Sequence, residues 1–125
     1  MWCDIIYQMK IIKFNSKKWD DKKGYSKRVL LNDKELRKPG VIVQEVKIKV
    51  GDVAKNHLHK KQTEIFYFMT SNGYWIVNGK KITPKLGDIL VIEPFDVHSV
   101  VNNTDKDYFY LCFKINYEQD DFYWE

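Results

Sequence analysis

Turn chemistry recurs every few residues from Val41 onward, and that spacing predicts short strands joined by tight turns. The sharpest case is Asn78-Gly79, set between strand-like runs at 73–77 and 80–83. Both central residues of a type I′ turn need positive φ, and Asn-Gly is a pair that tolerates it. Residues 41–50 show why the flanking runs are strands. Ile42, Val46, Ile48 and Val50 share one parity, while Glu45, Lys47 and Lys49 share the other. That is a strand with one buried and one wet face. Gln44 falls on the apolar parity, where it either reaches into the interior or sits at a rim. Further strands are expected at 64–70, 89–92, 99–102 and 108–116, with turns at Gly51-Asp52 and at 84–88. Upstream, residues 9–14 read as a short apolar strand. Residues 15–40 read as a polar excursion with one strand at 28–31 and a helical turn at 32–36. The sum is an all-β sandwich or barrel.

The chain has 125 residues, 44% of them hydrophobic and 15% aromatic, which suits one domain with a real core. Its organisation reads as an N-terminal strand and basic arm (1–40) packing on a barrel (41–116), followed by an acidic, aromatic tail (117–125). That tail would dock on its own barrel or on a partner subunit. No apolar run approaches the roughly 18 residues of a membrane span. The start, Met1-Trp2-Cys3-Asp4, lacks the basic and apolar regions of a signal peptide, so a cytoplasmic location is expected. Cys3 and Cys112 form no Cys-x-x-Cys pair and are expected as reduced thiols. The net charge of +4 is uneven, because residues 1–40 hold 11 Lys and Arg against 5 Asp and Glu. Arg28 and Arg37 are the only arginines there, and no nucleic-acid-binding motif accompanies the lysines. The arm is therefore read as a solvated lysine-rich face, with no nucleic-acid role expected.

His57-Leu58-His59 is the most informative short pattern. On an extended strand, residues i and i+2 point the same way with Cα atoms roughly 6.6 Å apart. Two imidazoles can then converge on one ion. Glu64 follows five residues after His59, the wrong parity for one straight strand, so the polar Lys60-Lys61-Gln62-Thr63 must bend and reset the phase. If Glu64 points inward, Phe66 and Phe68 do too. A carboxylate beside two phenyl rings is costly unless paired or bound to a cation. His98 opens a later strand after a Pro-containing turn, and these are all three histidines of the chain.

These residues resemble the cupin family. Its first motif is Gly, five residues, His-x-His, three or four residues, Glu, six residues, Gly. Here Gly51, His57, His59 and Glu64 fall in place, and Ser71 stands where the closing Gly is expected. The second motif is Gly, five residues, Pro-x-Gly, two residues, His, three residues, Asn. Here Gly87, His98 and Asn102 match, while Glu93 and Phe95 replace the Pro and the Gly. The resemblance implies a double-stranded β-helix, or jelly roll, with a metal ion inside one end held by His57, His59, Glu64 and His98.

Three imidazoles and a carboxylate suit a divalent first-row ion: Fe, Mn, Co, Ni, Cu or Zn. Relatives of this family include oxygenases, isomerases, decarboxylases and plain ligand-binding domains. The leading expectation is therefore a metal-dependent enzyme of oxygenase or isomerase type acting on a small organic molecule. The alternative is a non-catalytic small-ligand-binding module. By parity Phe66, Phe68 and Val100 join Gln44 as pocket lining, with Asn102 on the same face. Phe95 either narrows the mouth or packs on the surface. Tyr67, Tyr74, Trp75 and Tyr110 belong to wall or core. Glu93 is a general acid or base, or else a solvated loop carboxylate. No arginine lies near either motif, so no fork for a phosphate or carboxylate is apparent. A homodimer is expected, covering an exposed edge strand such as 9–14.

Overall fold

The computed structural model describes residues 9–125, so Cys3 lies outside the described residues. Asp20–Lys22 (β1) and Tyr25–Leu31 (β2) form an antiparallel hairpin. Gly24 makes their turn with φ +84°, and a Cβ there would collide with the carbonyl oxygen of Val53. After a one-turn helix, Asp33–Leu36 (α1), Ile42–Ile48 (β3) pairs with β2. Val53–Leu58 (β4), Thr63–Phe68 (β5), Tyr74–Val77 (β6), Lys80–Ile82 (β7), Ile89–Ile92 (β8), His98–Val101 (β9), Tyr108–Ile115 (β10) and Tyr123–Trp124 (β11) follow. Their pairing gives two antiparallel sheets, β1-β2-β3-β10-β5-β8 and β11-β4-β9-β6-β7. The sheets face one another as a jelly roll, a double-stranded β-helix.

Local chemistry accounts for much of this. Burial along β3 alternates residue by residue, as its parity predicts. Asn78 and Gly79 adopt φ 50° and 81° between β6 and β7, the expected tight hairpin. Helix α1 sits where a helical turn was expected. It is held by a capping box, in which Asn32 accepts from the Glu35 N–H and Glu35 accepts from the Asn32 N–H.

Other segments differ from expectation. Residues 9–14 are not a strand; the chain there is irregular, ending in a single 3₁₀ turn at Phe14–Ser16. Met9 and Ile11 are exposed, because the unanticipated β1 already occupies the sheet edge they would have used. The strand expected at 28–31 begins at Tyr25, since Gly24 supplies the turn that lets β2 extend back. Val50 is exposed in the turn after β3 rather than in its buried row.

The core lies between the two sheets and runs up to the polar end of the barrel. Phe66, Phe68, Trp75, Tyr108 and Tyr110 are buried there with Val46, Ile48, Ile92, Val100 and Cys112. Trp75 packs on Phe66 at 4.6 Å between centroids and on Tyr110 at 5.3 Å, and its Nε1 donates to the Tyr108 hydroxyl at 3.2 Å. That hydrogen bond lets an indole and a phenol be buried without an orphaned polar atom. No helix among the described residues is long and apolar enough to cross a membrane.

Candidate metal centre

The open end of the barrel is polar. His57, near the end of β4, and His98, opening β9, are direct cross-strand partners. Their rings lie 4.2 Å apart. His59 follows β4 by one residue, 5.4 Å from His57 and 5.5 Å from His98 between ring centroids. One ligand atom from each of the three imidazoles lies within 4.8 Å of the others. Glu64 approaches from β5 of the opposite sheet. Its Oε1 is 3.0 Å from His59 Nε2 and 3.4 Å from His98 Nε2. It stands outside the three-histidine group, beside His59 and His98.

The orientation of the rings is more telling than their proximity. Each histidine turns Nδ1 to a backbone carbonyl: His57 to Lys55 at 2.7 Å, His59 to Asp121 at 2.6 Å, His98 to Asp96 at 2.9 Å. A carbonyl can only accept, so each Nδ1 carries the proton and each Nε2 is left as a lone-pair donor. Buried His59 Nε2 and Glu64 Oε1 have no hydrogen-bond partner. They sit at ion-pair distance from each other without hydrogen-bond alignment. Two buried polar atoms facing one point with nothing between them fit a shared cation.

The electrostatics favour the neutral, ligating form of His57 and the ionised form of Glu64, whereas Glu64 draws His59 toward its protonated form, which a bound cation would have to displace. Burial, and then the neighbouring His98 ring, depress His57 to about 4, which keeps it neutral at neutral pH. Burial also works to depress His59, but its approach to Glu64 more than offsets this and its pKa rises. Burial alone would raise Glu64, yet His59 and His98 hold it well below the usual carboxylate range. The second oxygen of Glu64 is met by the Cys112 thiol at 3.5 Å. Burial pushes that thiol well up, so it serves as a donor rather than a thiolate.

Two features of the centre were not legible as site residues. Cys112 is one. The other is Asp121, in the tail. The phase reset between His59 and Glu64 is a bend at Lys60-Lys61. The Asp121 carboxylate accepts the backbone N–H groups of Lys60, Lys61 and Gln62 at 2.7, 2.9 and 2.9 Å. Its own carbonyl orients His59. The tail thus docks on its own barrel: β11 pairs with β4, and Phe122 stacks on His57 at 4.8 Å. Both residues contact the site through long-range pairing, for which the local sequence carries no signal.

A cavity of about 60 Å³ lies against the histidines and opens outward. Gln44, Phe66 and Val100 line it, which places Gln44 in the interior. Phe68 does not reach it. It lies one row deeper, fully buried and stacked on Tyr108, because inward residues two apart on a strand sit at different depths. Phe95 does not line it either. It is 62% exposed on the loop before β9, with φ +73°. Its N–H donates to the His59 carbonyl at 2.7 Å, a backbone bond that turns the ring outward. Glu93 is likewise exposed, away from the cavity. Asn102 is buried outside it, donating to the Ile48 and Lys106 carbonyls.

The family model for the cupin domain matches residues 44–114, more than half of the chain. The chain belongs to the cupin family. A curated relative, the oxalate-binding protein of Thermotoga maritima, is 27% identical over 81 residues, which span 63% of this chain and 67% of that protein. Among solved structures, a predicted oxalate decarboxylase from the same organism superposes with a TM-score of 0.77 at 19% identity, covering 85% of this cupin and 98% of that chain. KdgF from Halomonas sp. gives 0.76 at 18%, covering 90% and 98%. The polyketide cyclase RemF from Streptomyces resistomycificus gives 0.80 at 15%, covering 94% and 85%. At such identities these structures share the fold. Within this cupin the second motif is the atypical part, since Phe95 adopts a left-handed backbone where the motif has glycine.

Proposed function

We propose that this cupin binds a divalent transition ion through His57, His59, His98 and Glu64. We further propose that it acts as a metal-dependent enzyme, of oxygenase or isomerase type, on a small organic molecule. The observation that carries the reading is the common tautomer: three carbonyl-anchored Nδ1–H groups leave three Nε2 lone pairs aimed inward beside the unpartnered Glu64 Oε1. The donor set suits Fe, Mn, Co, Ni, Cu or Zn, and such an ion supplies Lewis acidity or, for the redox-active members, electron transfer. The chain's own groups orient it. Cys112 steadies Glu64, Asp121 steadies His59, and Phe122 covers the outer face of His57.

A second reading is a non-catalytic ligand-binding module, which the curated relative named as an oxalate-binding protein supports. Elemental analysis of protein purified without added metal tests the shared premise. About one ion per chain is expected, with His98→Ala losing at least ~100-fold in affinity. Metal-free protein that also fails to load afterwards would sink both readings. Turnover of a small-molecule panel by the loaded protein, abolished in His98→Ala, separates the enzyme from the module. We also propose that the chain pairs as a homodimer. The β8 edge, with Ile89 and Val91 exposed, supports it in place of residues 9–14. Light scattering reporting a monomer would exclude it.

A further inference from the structure

The wall opposite the histidines carries two lysines that face inward. Lys27 on β2 is the cross-strand partner of the buried Val46, and Lys114 on β10 is the partner of Ile42 and Glu64. Partners across a strand pair share a face. Both ammonium-bearing chains therefore point into the barrel, and both line the cavity beside His59 and Glu64. Each is half-buried. Among the described residues neither lies within ion-pair distance of a carboxylate, not even Lys114 with its neighbour Glu64.

The same two lysines line a wider vestibule of about 390 Å³ outside the cavity. Lys22 and Lys23 from the β1–β2 turn join them there. Two acids at this mouth are already engaged, Glu118 by Lys61 at 2.8 Å and Asp121 by three backbone N–H groups. Gln62, 2% exposed, also lines the vestibule, and its amide Nε2 has no hydrogen-bond partner. Lys22 is paired with Asp20 at 3.1 Å and Lys114 Nζ lies over the Tyr117 ring at 5.1 Å, so among the described residues Lys23, Lys27, Lys114 and the Gln62 amide are the donors at this mouth that no acceptor oxygen meets.

Positive charge turned into a barrel is costly unless a counter-charge meets it. Burial, and then the Lys114 charge, already lower the Lys27 pKa, so the lysines strain against each other. We propose that Lys27 and Lys114 form an anion-binding wall that receives the oxyanion of a small organic ligand, a carboxylate or a phosphate, with Gln62 contributing a donor at the mouth. The ligand's other end then faces the three imidazoles. Lys23 steers the anion inward, which gives the basic N-terminal region a role at this site. The inference rests on the proposed function in taking this cavity as the ligand site. Lys27 is paired across the strands with Val46 and with no proposed metal ligand, so its role is separable from the metal.

Calorimetric titration of the zinc-loaded protein with malonate, inorganic phosphate and neutral malonamide tests this. Malonate and phosphate separate the two oxyanions. Saturable binding of at least one anion is expected, weakened about tenfold in Lys27→Met and retained in Lys27→Arg, with malonamide far weaker. Zinc content is read on the same samples. Zinc-free protein that still binds malonate through Lys27 would count against the metal reading alone. Loss of this proposal would appear as no saturable binding of either anion, as malonamide binding equal to malonate, or as Lys27→Met binding like the wild type.

Discussion

The two ends of the barrel are built on the same strands and differ in what the inward rows carry. Along β5 the inward residues run Phe68, Phe66, Glu64; along β10 they run Tyr108, Tyr110, Cys112, Lys114. On β9 Val100 gives way to His98. At the closed end the rows carry mostly rings and aliphatic groups, the buried Trp75 indole N–H finds a phenol and the buried Asn102 amide finds backbone carbonyls. At the open end the same alternation places polar atoms inside, some with no partner. The closed end is stabilised by apolar burial and close packing. The open end holds groups whose desolvation is unrewarded until something binds. Stability and function are thus separated by about two residues along each strand.

If that division holds, a cut at the closed end should cost stability and spare the site. Phe68→Ala removes a fully buried ring and should destabilise the fold by about 3–5 kcal/mol in urea melts. The metal bound per folded chain should stay unchanged; a parallel loss of metal would show the ends to be coupled. Asp121→Asn probes the opposite case. Asparagine leaves one amide oxygen to serve three N–H groups, so the His59–Glu64 bend loosens. Zinc affinity in chelator competition should fall by ~10–100-fold while circular dichroism keeps the β signature. Unchanged affinity would show that the bend holds without the tail. The smallest effect lies on the loop before His98. Phe95 is exposed and left-handed, so Phe95→Gly removes strain and little packing. It should raise stability by about 0.5–1 kcal/mol in thermal melts. A fall of the same size would mean that the ring packs on something in solution, such as a second subunit.

Parity and turn chemistry made most of the barrel legible. The Asn78-Gly79 hairpin, the alternation of β3 and the capped α1 are local, and local chemistry specifies them. The N-terminal region is less legible. A three-residue β1 has too little pattern to announce itself, and residues 9–14 have the composition of a strand without a free edge to join. At the site, the His-x-His spacing and the need for a bend before Glu64 stood in the sequence. Lys114 was also legible in principle, because it continues the parity of Tyr108, Tyr110 and Cys112. Lysines on strands default to the wet face, and that default outweighs the parity signal for the inward pair.

By itself, then, the sequence determined the strand periods, the turn positions and which residue types could ligate an ion, since each depends on neighbours a few positions away. Tertiary structure alone decided the rest. It set Asp121 on the bend 60 residues away, the tautomer of His59, the depth that takes Phe68 out of the cavity, and the meeting of Lys27 with Lys114. These depend on register between strands distant along the chain and on which sheet faces which. That information resides in the summed packing of the whole barrel, and no local pattern carries it.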